Sequence, residues 1–187
     1  MSWLKWAGPL TAIILLGLIA IFTRGFTALP TTYYMTGPSM QPAVAAGDWF
    51  LTRPLSRLPE RGALVIMEHT IDDSLFHVLR RIVGLPGDTL EMQTGSLLVN
   101  GAPAPWPYRV VEPLADRTLD GPIAGTIYTW GPVVVGPDSV FVLSDTRDMI
   151  GWPDSRFIGT IPRSRLVAGF VGRIWGEALP STDEHGR

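Results

Sequence analysis

Glycine and proline cut this chain into short pieces. There are 20 glycines and 17 prolines, and beyond residue 24 they leave no stretch long enough for an extended amphipathic helix. Such punctuation favours short strands joined by turns. Gly47-Asp48 precedes the run Trp49 to Thr52, which is predicted as a strand, and Tyr33 to Met35 is β-prone. Ala63 to Met67 and Leu75 to Val83 are further predicted strands, as are Thr89 to Met92, Ser96 to Val99, Val140 to Leu143 and Leu166 to Ile174. Asn100-Gly101 is a strong hairpin signal. Ile127 to Trp130 and Val133 to Val135 are expected to pair, and Ser144 to Ile158 is expected to be a polar loop. The pattern predicts a mainly β fold.

One stretch breaks this regime. Residues 6–23 carry no charge and lie between Lys5 and Arg24, with Trp3 and Trp6 at one end. A run of this length is near the lower limit for a spanning helix, and tryptophan suits the membrane interface. No small-x-small cleavage site follows it, so an uncleaved anchor is expected over residues 1–24. A linker, 25–35, leads to one β domain, 36–179, with an irregular Pro-rich insertion at 102–126 that carries Trp106 and Tyr108. Residues 180–187 are read as a mobile tail. A net charge of -2 gives no reason to expect nucleic acid. Without cysteine there is neither a disulfide nor a thiolate metal site. The histidines and carboxylates show no metal-ligand spacing, and no cofactor is implied.

The candidate chemistry begins at Thr36-Gly37-Pro38-Ser39-Met40-Gln41-Pro42, where Ser39 sits in a turn set by Gly and Pro. Serine becomes a nucleophile when a base takes its proton. Lys5 is the only lysine, and it precedes the apolar run. His77 lies on the same predicted strand as Arg80, three residues earlier, so alternation places the two on opposite faces. His69 and His185 have no motif around them.

The blocks GPSMQPAVAAGD, RRIVGLPGD and FVLSDTRDMIGWPDSRFIG, in this order after an apolar N-terminal segment, resemble those of type I signal peptidases, membrane-anchored serine proteases of the S26 type. The resemblance spans Tyr34 to Val171. It implies an antiparallel β-sandwich-like domain on the extracytoplasmic, periplasmic side of the inner membrane, tethered by a single transmembrane helix. It also implies a Ser–Lys dyad and an apolar surface lying against the bilayer. Ser39 falls at the nucleophile position. Gly84, Pro86, Gly87 and Asp88 form one structural motif; Asp145, Arg147, Asp154, Ser155 and Arg156 belong to another.

The resemblance also exposes departures. The family's lysine base falls at Arg80 in Arg80-Arg81-Ile82-Val83-Gly84. A buried lysine can become neutral near pH 7, whereas a guanidinium stays charged. The family's Gly-Asp-Asn-Arg pattern becomes Ser144 to Arg147, and its Arg-Gly-Asp becomes Arg61-Gly62-Ala63. The position of its lysine-supporting serine is Trp152, after Gly151. Arg80 is expected to pair with Asp145 or Asp154, closing the site, or else to meet an anionic group of a partner. Asp154–Arg156 and Asp145–Arg147 are the plain structural pairings. Two functions follow. One is a membrane-anchored binding or structural subunit of an integral-membrane protein complex, with proteolysis lost and the scaffold kept. The other is an active serine endopeptidase acting on signal-peptide-bearing precursors, with Ser39 as nucleophile and an unusual base such as His77. The loss of lysine favours the first.

Overall fold

The computed structural model describes residues 12–20, 29–104, 110–148 and 153–175. Among the described residues, eleven strands form two antiparallel sheets. The larger has the order β1-β2-β11-β3-β4-β9-β10 and the smaller β7-β6-β5-β8. In chain order these are β1 (Thr31–Tyr34), β2 (Trp49–Pro54), β3 (Leu64–Ile71), β4 (Ser74–Gly84), β5 (Thr89–Gln93) and β6 (Ser96–Val99). They continue as β7 (Ala102–Pro103), β8 (Trp130–Val134), β9 (Ser139–Leu143), β10 (Ile161–Pro162) and β11 (Leu166–Trp175).

Two-residue turns set the hairpin registers. Asn100-Gly101 joins β6 to β7 with both residues at positive φ, and Val99 faces Ala102. This is the conformation that a tight hairpin of right-twisted strands requires. Thr94-Gly95 and Asp72-Asp73 take the same form, linking β5 to β6 and β3 to β4. The β3–β4 ladder runs without a shift from Ile71↔Ser74 to Leu64↔Arg81. That unbroken register fixes which face every residue of β4 occupies.

The sheets meet over an apolar cluster that includes Val83, Leu90, Trp130, Phe141 and Leu143. Trp130 and Phe141 stack with ring centroids 5.4 Å apart. A second cluster, around Met40, Val44, Phe50, Ile66 and Leu79, lies under the Ser39 turn. A third, around Val65, Met67, Ile82, Val140 and Val142, fills the other face of the large sheet.

Several expectations need correction. Ile127 to Thr129 is not a strand, and Trp130–Val134 forms a single strand that pairs with β5. Its neighbour across the ladder supplies the partner that a local hairpin was expected to give. The segment Ser144 to Ile158 is polar in sequence, yet Ser144, Asp145, Asp154, Ser155 and Arg156 are buried. It also contains a one-turn helix, Ser155–Ile158, capped by the Asp154 side chain. In the 102–126 stretch, Leu119 and Ile123 plug into the inter-sheet cluster, so this irregular segment is packed. Trp106, Tyr108, Gly151, Trp152 and the 180–187 tail lie outside the described residues. Of the expected anchor, residues 12–20 are described; they are helical and exposed. No helix among the described residues is long and apolar enough to cross a membrane.

Gly84 shows how tightly the two sheets approach. A Cβ there would lie 2.3 Å from Leu90 Cδ1, 3.0 Å from Phe141 Cβ and 3.1 Å from Val135 Cγ2. Overpacking of this kind costs about 1–3 kcal/mol. Gly84→Ala is therefore expected to lower the unfolding free energy by that amount, read as a lower urea midpoint with an unchanged slope; an unaltered midpoint would show that the junction is loose.

Candidate active site

The Ser39 turn is held from both sides. Gln41 N donates to Pro38 O at 3.0 Å, and Val44 N to Met40 O at 2.9 Å. Met40 and Val44 are fully buried and anchor the exit. Thr146 N donates to Ser39 O at 3.0 Å, and the Thr146 hydroxyl donates to Pro38 O at 2.7 Å. The reach from Thr146 to this turn spans most of the chain, so no local sequence signal identifies Thr146 as its clamp.

Arg80 and Arg81 are neighbours on β4, and the strand's alternation sends them apart. Arg81 forms a two-pronged bond with Asp145, Nε to Oδ1 at 2.8 Å and Nη2 to Oδ2 at 2.5 Å. It also donates to Gly62 O at 2.7 Å. Arg80 turns toward Ser39. Its Nη1 donates to Ser39 Oγ at 3.1 Å and to Leu79 O at 2.5 Å, and its Nε donates to Pro153 O at 2.9 Å. Nη2 is buried and has no hydrogen-bond partner among the described residues.

The expected pairing of Arg80 with Asp145 or Asp154 does not form. Asp145 is held by Arg81 rather than Arg147. Asp154 is held by Arg156, with Nη2 to Oδ2 at 2.8 Å and Nε to Oδ1 at 3.1 Å. Among the described residues, no carboxylate lies within ion-pair distance of Arg80. Its side chain is 1% exposed, and burial lowers its pKa to about 10. The charges of Asp154 and Asp145 counter that shift, while that of Arg156 adds to it.

His77 is engaged elsewhere. Its Nδ1 lies 3.2 Å from the Tyr33 hydroxyl and its Nε2 3.8 Å from Glu68 Oε1. Both Ser39 and His77 line one cleft, but the Ser39 hydroxyl is contacted by Arg80.

That cleft has a volume of about 340 Å³. Tyr33, Phe50, Ile66 and Leu79 supply apolar wall, and Ser39 and Arg80 supply polar groups. The backbone from Tyr33 to Gly37 borders it, and β1 is the edge strand of its sheet.

The remaining motif residues build support. Asp88 Oδ2 accepts from Leu85 N at 2.7 Å and from Arg61 Nη2 at 2.5 Å, while Asn100 Nδ2 donates to Oδ1 at 2.9 Å. With Pro86 and Gly87, at φ 86°, this makes a braced turn. Asp154 also accepts from Ser144 N, the Ser144 hydroxyl and Arg156 N. Ser155 Oγ accepts from Val142 N at 2.9 Å, and Arg156 Nη1 donates to the Arg147 carbonyl at 2.8 Å. Burial pushes the Asp154 carboxyl upward, but the Arg156 guanidinium, with help from Arg80 and the Ser144 amide, outweighs it and holds the pKa below the usual carboxylate range.

Residues 3–175 match the family model described as Signal peptidase, peptidase S26. A signal peptidase I of Bacillus licheniformis is 33% identical over 162 residues, covering 83% of this chain and 81% of that protein. A probable signal peptidase I-2 of Synechocystis sp. is 31% identical over 183 residues, covering 93% of this chain and 74% of that protein. A crystal structure of a signal peptidase I from Enterococcus faecalis is 24% identical and covers 62% of this chain and 97% of that one, with a TM-score of 0.44.

Because the folded-state pKa of Asp154 is depressed, its stabilisation is present above the ordinary carboxylate range and is lost as pH falls through it toward the folded value. Asp154→Asn leaves Arg156 buried without its counter-charge, a change that costs about 3–5 kcal/mol. Urea unfolding at pH 7 should show that loss, and the variant should lose part of the acid sensitivity of the parent. Equal stability of the two proteins at pH 7 would contradict the assignment.

Proposed function

Since the chain belongs to the signal peptidase family, peptidase S26, we propose that it is a membrane-associated serine endopeptidase acting on the signal peptides of exported precursors. Ser39 is the nucleophile, and Arg80 occupies the place of the proton acceptor. The 3.1 Å contact between Arg80 Nη1 and Ser39 Oγ, at the wall of an apolar cleft, carries this reading.

The cleft suits an extended apolar segment. The free edge of β1 offers backbone groups to a peptide laid alongside it, and the wall around Phe50, Ile66 and Leu79 accepts apolar side chains. Attack by Ser39 Oγ on a peptide carbonyl, as a neighbouring base takes the serine proton, gives a tetrahedral adduct; its collapse breaks the peptide C–N bond, leaves an acyl–serine ester and releases the amine, which receives that proton. Arg80 accepts it only in its neutral form. With the pKa lowered to about 10, that form shrinks about tenfold for each unit by which the pH lies below this value. Cleavage is therefore slow at neutral pH and rises with alkalinity.

Membrane location is part of the proposal. Residues 6–23 form the uncharged apolar run, and the folded part carries exposed aromatic and aliphatic groups. Tyr34 and Trp49 sit 5.3 Å apart, centroid to centroid, near exposed Trp175. Ile71, Leu75 and Phe76 are exposed at the β3–β4 tip. These surfaces favour a β domain that rests on a bilayer; the inner membrane and its periplasmic face are carried over from the family.

A second reading has an observation of its own. Arg80 donates to Ser39 Oγ, which is the reverse of what a base does. On that ground the chain binds precursors, or an integral-membrane protein complex, without cutting.

Cleavage of a signal-peptide precursor by the purified full-length protein separates the two. For the endopeptidase, the rate climbs from pH 7 to pH 10, Ser39→Ala abolishes it, and Arg80→Lys raises the neutral-pH rate by about 100-fold, the scale of a correctly poised general base. No cleavage at any pH, with Arg80→Lys equally inert, would overturn it in favour of binding alone.

A further inference from the structure

We propose that the Ser39–Arg80 corner is a carboxylate site, which holds the free C-terminus of an extended apolar peptide. The identity of the occupant rests on the proposed cleavage at Ser39, whereas the site itself rests on the Ser39–Arg80 geometry.

A buried cation demands a counter-charge, and among the described residues no carboxylate is bonded to Arg80; Asp154 and Asp145 act on it only at a distance. Asp145 is bonded to Arg81 and Asp154 to Arg156. Arg80 has neutral oxygens of Ser39, Leu79 and Pro153 on Nη1 and Nε, and nothing on Nη2. Ser39 Oγ accepts from Arg80, so its own hydrogen remains available to donate. A hydroxyl and a guanidinium thus stand side by side in one cleft, both able to donate to an anion. A carboxylate is the planar acceptor that a guanidinium binds best.

The occupant is set by place as well as charge. A peptide cut at Ser39 leaves its acyl carbon on Oγ, and hydrolysis of that ester turns the carbon into a carboxylate at the same spot. There the anion meets Arg80, which stays cationic at neutral pH. A neutral amine base would offer no such charge. The substitution that slows proton transfer therefore also retains the released signal peptide, so the site favours an acidic terminus over its neutral precursor.

The test uses one apolar peptide ending in alanine, prepared as the free acid and as the C-terminal amide. Each is titrated calorimetrically into the full-length protein at pH 7, in neutral detergent micelles that keep anionic lipid away. The free acid should bind roughly tenfold more tightly or better, as a charge-assisted pair implies. Arg80→Gln should bring the acid down to the affinity of the amide. Equal affinities in the parent protein would overturn the carboxylate site and need no variant to interpret. An acid preference that survives Arg80→Gln would also overturn it, and failure of both peptides to bind would sink the cleft reading with it. Failure of precursor cleavage, by contrast, would overturn the endopeptidase while leaving the acid-to-amide ratio as predicted.

Discussion

A charged group taken out of water must find an opposite charge, a set of hydrogen bonds, or a lower tendency to be charged. Arg80 has taken the second and third of these and not the first. Its guanidinium lies in the protein beside Ser39, bound to neutral oxygens, with its pKa lowered. Every functional consequence follows from that position. The same cation that contacts the proposed nucleophile also makes a poor proton acceptor near neutrality.

The neighbouring residues explain why Arg80 stays unpaired. The uninterrupted β3–β4 register alternates Arg80 and Arg81 across the sheet. Arg81 thereby meets Asp145, while Arg156 reaches back two residues to Asp154 inside the same short segment. Each carboxylate is saturated by a closer arginine. The Asp154 network also positions the Pro153 carbonyl that receives Arg80 Nε. Thr146, next to Asp145, clasps the backbone of the Ser39 turn. The motif residues thus shape the site from behind.

Local chemistry was legible in the chain. Asn100-Gly101 announced its hairpin, because only a turn with positive φ at both positions joins twisted strands so tightly. Alternation was expected to hold His77 away from Arg80, yet both line the same cleft; His77 is kept from Ser39 by its own contact with Tyr33. The order of the Ser39, Gly84–Asp88 and Asp154–Arg156 blocks was enough to suggest the family. What sequence could not rank was competition among several arginines for two carboxylates, which tertiary distance decides. The same holds for the polar stretch after Leu143. Its composition reads as solvent-exposed loop, whereas its mutual hydrogen bonds allow burial. Trp130–Val134 was misjudged because β5, distant in sequence, provides its partner.

A signal peptidase family scaffold is thus combined with a guanidinium that is cationic at neutral pH beside Ser39. Such a corner is suited to holding negative charge, whether that of a transient oxyanion or of a finished carboxylate. The most direct measurement is a crystal structure at neutral pH, read for the atoms nearest Ser39 Oγ. The account predicts an Arg80 nitrogen at about 3 Å, with Asp145 still on Arg81 and Asp154 still on Arg156. Arg80 bonded to either carboxylate, or a histidine seated against the serine oxygen, would contradict it.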